Sequence, residues 1–182
     1  MWGVRIQGQI VLLRPIAEEE LPLLVGWQAD AEVLRLAGIG YHAMAPADLK
    51  KWWQEAGTQP TSLHWGLEWE GRLVGRTAIH EIDWLNRRAW TATMLGDKSA
   101  WRQGIATEAM ALRTEHAFRQ LNLHKLGSGY AETNVGSGEA QRRAGYREVA
   151  RFKEQLYRDG RWYDEIVTEV LREDWEAEHP LA

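Results

Sequence analysis

The stretch Ala89–Ala131 constrains the fold more than any other part of the chain. Ala89 to Leu95 reads as a strand ended by Gly96, Gly104 to Leu121 as the most regular helix, and His124 to Ala131 as a second strand. On the helix, Ile105, Ala106, Ala109, Met110, Leu112, Ala117 and Leu121 cover much of one side, while Glu108, Glu115 and Arg119 line the opposite face. That spacing belongs to an element with one buried apolar stripe. Strand, helix and strand in such close succession form a βαβ unit with parallel strands and a right-handed crossover. Its first loop, at the carboxyl end of the first strand, is where such units receive ligands.

The flanking segments read differently. Ile10 to Arg14 is a short strand stopped by Pro15. Glu18 to Glu20 enrich the start of a helix that tolerates Pro22 in its first turns. A second helical piece runs from Ala31 to Leu36 and is closed by Gly38; the stretch that follows, to Pro46, is a loop. A third helix runs from Pro46 to Gly57 with Leu49, Trp52 and Trp53 on one side. Leu63–Trp69 and Arg72–Ile82 are strands joined by a Glu70-Gly71 turn, and Asp83–Arg88 is a polar turn. Ser137 to Ala144 is a short helix ended by Gly145, and Arg147–Tyr157 with Trp162–Leu171 form a hairpin across Asp159-Gly160. The expectation is a single α+β domain over residues 1–182: a mixed, mostly antiparallel central sheet with flanking helices around the βαβ unit.

Composition excludes several functions. The net charge is −4, so there is no basic surplus to neutralise a nucleic-acid backbone. Cysteine is absent, which removes disulfides, thiolate zinc sites and a cysteine nucleophile. No run of about 18 apolar residues exists to span a membrane. The opening MWGVRIQGQIVLLRP lacks the apolar core of a secretory leader, and a cytoplasmic location is expected. His42, His64, His116, His124 and His179 show no metal-ligand spacing, so no metal is expected. The 11 tryptophans are scattered, which suits core and groove filling better than a ligand platform.

The loop Gly96–Met110 carries the chemistry. It runs from a strand into a helix N-terminus, where free backbone N–H groups and the helix dipole favour an anion. Gly104 and Ala106 leave the backbone uncrowded, and Lys98 and Arg102 add positive charge. A phosphate or pyrophosphate cradle and an ordinary β–α turn both fit these residues. The run Gly-x-x-x-x-Gly-Lys-Ser/Thr is missing. Gly127-Ser-Gly129 and Gly136-Ser-Gly138 fail the dinucleotide pattern, and Gly38-Ile-Gly40 follows a helical segment rather than a strand.

Trp101-Arg102-Gln103-Gly104-Ile105-Ala106-Thr107-Glu108-Ala109 resembles the acyl-coenzyme A pyrophosphate loop of the GNAT superfamily of N-acetyltransferases. It is most similar to the RimJ/RimL branch, which includes ribosomal-protein N-terminal acetyltransferases. Ala117-Phe118 and Leu121 to Lys125, Asn134 to Ser137, Arg143 to Tyr146, and Tyr157 to Arg161 with Asp164 resemble later segments of that branch, in the same order. The resemblance implies acetyl-coenzyme A as co-substrate and an amine acceptor, either a peptide N-terminus or a small molecule, with no metal. A homodimer is compatible with it. It also implies that backbone groups of Thr93, Met94 and Leu95 pair with the pantetheine, one N–H serving as oxyanion donor. The loop residues Trp101, Arg102, Gln103, Gly104, Ile105, Ala106 and Thr107 would hold the pyrophosphate, mostly through amides. Asn134 would touch the pantetheine, and Ser137 would face the sulfur; Ser137 also fits an N-cap of the helix that follows. Three positions depart from the pattern: Arg102 stands where Gly is frequent, Trp90 where a strand Glu is frequent, and Gln141 where many relatives carry Tyr.

Direct acetyl transfer to an amine needs no covalent intermediate, but the amine must lose a proton. An α-amino group has a pKa near 7.7–8 and a lysine near 10.4. His80 is the first candidate base and Asp83 the second, with Glu81 beside them, at the end of the strand preceding Ala89–Leu95. The acidic tail, Glu173 to Glu178, reads as a solvated end. Two rival functions remain at this stage: acetylation of a small-molecule amine, and a non-catalytic acyl-coenzyme A sensor.

Overall fold

A computed structural model describes residues 1–37 and 44–180. The expected helix stop at Gly38, most of the loop after it, the Gly38–Gly40 pair and His42 lie outside the described residues. Eight strands form one sheet: β1 (Ile6–Gln7), β2 (Leu12–Arg14), β3 (Leu63–Trp69), β4 (Arg72–Asp83), β5 (Arg88–Leu95), β6 (Lys125–Ala131), β7 (Arg147–Arg158) and β8 (Arg161–Leu171). Their order is β1-β2-β3-β4-β5-β6-β8-β7, and every pairing is antiparallel except β5 with β6. The helices are α1 (Leu21–Ala29), α2 (Ala31–Ala37), α3 (Pro46–Ala56), α4 (Ile105–Arg119), α5 (Val135–Arg143) and α6 (Arg172–Glu178). The result is the α+β fold expected, with the β5–α4–β6 unit at its centre.

Local chemistry explains the joints. The β3–β4 and β7–β8 turns put Glu70-Gly71 and Asp159-Gly160 at positive φ, 51° and 74° in one, 50° and 76° in the other. Both central residues of a type I′ hairpin turn need that conformation. Asp30 breaks the first helical stretch into α1 and α2, its carboxylate capping Glu32 N at 3.0 Å and Val33 N at 3.3 Å.

Strand alternation gives the sheet two faces. On one, Ile105, Ala109, Ala117 and Phe118 of α4 pack with Trp65, Ile79, Leu126 and Val170. On the other, Leu21, Leu24 and Trp27 of α1 and Leu49 of α3 pack with Ile16, Leu73 and Met94. The acidic residues of the tail, Glu173, Asp174, Glu176 and Glu178, are exposed as expected, but Arg172–Glu178 is also helix α6, anchored by Trp175, which is buried against Phe118, ring centroids 5.7 Å apart. Glu108 keeps the helix face of Glu115 and Arg119, and the turn after β1 covers it: its carboxylate accepts the backbone N–H groups of Gln9, Ile10 and Val11 at 2.7, 2.9 and 2.8 Å. Trp65, Trp27 and Trp175 are buried as expected, while Trp84, Trp90 and Trp162 remain exposed.

Candidate active site

The parallel ladder between β5 and β6 is short. It pairs Arg88 with Lys125, Ala89 with Leu126 and Trp90 with Gly127, then ends. Two side chains close it: the Thr91 hydroxyl donates to the Gly127 carbonyl at 3.0 Å and the Ser128 hydroxyl to the Thr91 carbonyl at 3.2 Å. From Ser128 onward β6 is paired only with β8. The strands therefore diverge, and the edge of β5 carrying Thr93, Met94 and Leu95 faces the gap rather than a ladder partner. Backbone groups left this way can pair with an extended ligand as an added strand would.

Below the gap stands the N-terminus of α4. Gly104 is its N-cap at φ +80°, no side chain caps it, and Arg102 also has positive φ, 63°. The first amides of a helix have no intrahelical acceptor, so those from Gly104 to Thr107 are available to an anion. A Cβ at Gly104 would meet only the Ile10 side chain, at 3.6 Å; the glycine is required by its φ, not by crowding. Trp101 is fixed at the base of the loop. Its indole N–H donates to the Leu95 carbonyl at 3.1 Å, pinning the loop to the end of β5. Lys98 is also committed elsewhere: its ammonium lies 2.8 Å from both Asp30 and Glu32. Arg102 is exposed at the loop and forms no ion pair among the described residues.

The opposite wall is the start of α5. Asn134, not Ser137, is the N-cap: its Oδ1 accepts Ser137 N–H at 3.1 Å, and its Nδ2 donates to the Leu36 carbonyl at 2.8 Å. Asn134 thus links α5 to the end of α2. Ser137 sits one turn into the helix, and its Oγ accepts from Gln141 Nε2 at 3.1 Å. Gln141 is buried, and its Oε1 accepts the Thr168 hydroxyl. Among the described residues, no group accepts the hydroxyl proton of Ser137.

On β4, His80 is half-buried and pairs across the strands with Trp90. Burial pulls its pKa below the ordinary value; Glu81, 3.4 Å away, opposes this, and the Arg113 cation adds to it. A neutral imidazole at physiological pH can accept a proton. Asp83 cannot do so readily. Its carboxylate holds Asn86 Nδ2 at 2.6 Å, Asn86 N at 2.9 Å and Arg88 Nε at 3.4 Å, and these contacts keep it below the usual carboxylate range. Asp83 shapes the β4–β5 turn. The Trp90 ring lies over Gly127, where a Cβ would approach it to 3.1 Å.

One residue escaped the sequence reading. Arg113 is 1% exposed and points from α4 under β5. Its Nη1 donates to Thr77 Oγ1, Thr93 Oγ1 and the Ala92 carbonyl at 2.7, 2.9 and 3.0 Å, and its Nη2 to the Tyr146 hydroxyl at 3.2 Å. Its position four residues after Ala109 and four before Ala117, on the small-residue stripe of the helix, was the available signal.

Residues 11–147 match the family described as acetyltransferase (GNAT) domain. The chain belongs to that family and is an N-acetyltransferase. YdaF of Bacillus subtilis strain 168, provisionally named a ribosomal N-acetyltransferase, is 28% identical over 130 residues, 69% of this chain and 68% of its own. Spermidine N-acetyltransferase from Vibrio cholerae, solved with CoA and spermine, has the same fold at 16% identity, with a TM-score of 0.84 over 92% of this chain and 99% of that one. RimL, a ribosomal L7/L12 alpha-N-protein acetyltransferase solved with coenzyme A, matches at 17% identity and TM-score 0.82, over 92% and 97%.

Proposed function

We propose that this enzyme transfers acetyl from acetyl-coenzyme A to the α-amino group at a protein or peptide N-terminus, by direct attack of the amine on the thioester. The observation that carries the reading is the divergence of β5 and β6 beside the uncapped N-terminus of α4. A phosphate-bearing, extended thioester fits there: amides of Arg102 to Thr107 for its phosphates, and the open edge at Thr93, Met94 and Leu95 for its arm. The family membership and the coenzyme A complexes of the two structural neighbours support the co-substrate.

The chain's own residues divide the remaining work. An N–H on the open edge of β5 stabilises the oxygen as negative charge builds. Ser137, already accepting from Gln141, donates its proton toward the departing sulfur. His80, held neutral by burial, receives a proton from the amine. An α-amino group near pKa 7.7–8 asks little of a base, a lysine or polyamine much more. With Trp90 on β5 and Asp83 committed to its turn, the modest base available suits an α-amine. The names of YdaF and RimL point the same way.

The test is an acceptor screen by mass spectrometry with peptides copying ribosomal-protein N-termini, free amino acids, polyamines and an aminoglycoside. Acetylation at peptide α-amino groups is expected. Turnover confined to polyamines or the aminoglycoside would overturn the reading.

A further inference from the structure

Arg76 lies on β4 on the α1–α3 face of the sheet, the side away from α4. It pairs across the strands with Met94 of β5 and Gly66 of β3. Its guanidinium stacks on the Trp52 ring, 4.7 Å from the centroid. Among the described residues it forms no hydrogen bond and no ion pair. The six residues between Ala37 and Met44 contain no Asp or Glu, so no carboxylate side chain reaches it from there either. Four acids of β3, the start of α1 and the α1–α2 joint pair with other cations: Glu20 and Glu68 with Arg14, Asp30 and Glu32 with Lys98.

Its surroundings deepen the deficit. His64, diagonally across β3, stacks edge-on against the same Trp52 at 5.7 Å. Burial, then Arg76, the N-terminal ammonium and His80, push His64 down to about 4. Burial likewise pulls Arg76 down to about 10. Arg76 and the N-terminal ammonium are thus the cations of this patch, beside two imidazoles that burial keeps neutral, and among the described residues no carboxylate pairs with Arg76; Glu81 is exposed beside His80. Stacking on Trp52 contributes attraction but leaves five N–H donors and a full charge unanswered. A partly desolvated cation in that state is costly, and a carboxylate is the partner its planar fork fits best.

The location gives the cation a use. Arg76 stands beside Met94, about two residues or 7 Å along β5 from Ala92, and one strand spacing, about 5 Å, across. Taking the reading above, in which Thr93 to Leu95 hold the thioester arm, we infer that the acceptor carries a carboxylate close to its reactive amine and that Arg76 binds it. The partner is an acidic N-terminal peptide. The same chemistry in a free amino acid is a second source, and the experiment separates the two.

The experiment measures kcat/KM by thiol release for amidated peptides that begin with Ala and carry Asp, Asn or Lys at positions two and three, beside alanine and alaninamide. The Asp peptide should exceed the Asn peptide at least tenfold, with the Lys peptide lowest. Arg76→Gln should bring Asp and Asn peptides within threefold of each other, and Arg76→Lys should restore part of the gap. Equal rates for Asp and Asn peptides in the parent enzyme would overturn the inference while leaving N-terminal acetylation standing, and would do so even where Arg76→Gln does not fold. A preference that survives Arg76→Gln in a folded variant would also overturn it. Alanine outrunning alaninamide tenfold, with every peptide inert, would instead defeat the N-terminal reading and leave the carboxylate at Arg76 supported.

Discussion

Glu108 is the residue whose removal the structure prices most directly. It stands in the first turn of α4, and its Oε1 takes the N–H of Gln9 while its Oε2 takes those of Ile10 and Val11. Hydrogen bonds to a charged group contribute about 1.5–3 kcal/mol each when shielded. The donors on Gln9 and Ile10 are at the surface, where water replaces a lost acceptor, so about 0.5 kcal/mol each is the fairer value. Val11 N–H is partly buried and keeps the larger figure. Glu108→Ala should therefore cost about 3 kcal/mol, which for a domain of this size lowers Tm by about 6–12 °C. Glu108→Gln keeps one acceptor oxygen for Ile10 and Val11 and loses the Gln9 bond, so about 1–1.5 kcal/mol should suffice for it. Urea unfolding followed by tryptophan fluorescence measures both. A loss below 1 kcal/mol in Glu108→Ala, or equal losses in the two variants, would refute the assignment of this carboxylate as the clamp on the β1–β2 turn.

Gly104→Val forces a β-branched residue to φ +80° and misaims the amides after it, so acetyl-coenzyme A affinity should fall at least tenfold by calorimetry, about 1.4 kcal/mol. Because Asn134 and not Ser137 caps α5, Ser137→Ala should lower kcat with little change in melting temperature, and Gln141→Leu should lower kcat without adding to the Ser137→Ala effect in the double variant. If His80 is the base, kcat/KM should rise with pH on a limb below 6.5, since burial depresses the group; His80→Ala should abolish that limb, and a limb near 7.7–8 that survives the substitution would assign it to the acceptor amine. His64 titrates near 6.5 when unfolded and about 4 when folded, so the unfolded state binds the extra proton between those values; stability should be complete above pH 6.5 and drop toward pH 4, with a shallower drop in His64→Gln by urea titration.

What the sequence discloses depends on how local the cause is. Glu70-Gly71 and Asp159-Gly160 announce their hairpins because a glycine at the second central place takes positive φ without strain, and Asp-Gly is among the pairs such turns favour. The β5–α4–β6 unit announces itself because one apolar stripe runs the length of α4 and the loop before it has a fixed job. Long-range partners leave no such trace. Glu108 looks like a surface residue because its three donors lie 97 to 99 positions away. Lys98 looks like a phosphate ligand because it adjoins the loop, yet Asp30 and Glu32 hold it from the α1–α2 joint. Ser137 is a common N-cap type, but Asn134, three residues earlier, is the N-cap and accepts the N–H of Ser137 itself. Helix α6 is hidden because a single buried Trp175 among acids makes no period.

Arg113, buried, and Arg76, half-buried, belong to one electrostatic arrangement. Arg113 lies under β5 on the α4 face, held only by hydroxyls and a carbonyl, and its Nε has no partner. Arg76 lies over the neighbouring strand on the opposite face, held only by a ring. Neutral acceptors satisfy geometry without cancelling charge, and in a partly dry interior an uncancelled charge keeps its field over several ångströms. The two fields add along Ala92 to Met94, between the contacts of Arg113 with Ala92 and Thr93 and the register partner of Arg76. A positive potential at that stretch favours whatever turns negative beside it: a carbonyl oxygen under attack, a leaving thiolate, a bound carboxylate. On the reading proposed above, the same potential would disfavour a polycationic acceptor, an outcome the acceptor screen tests directly.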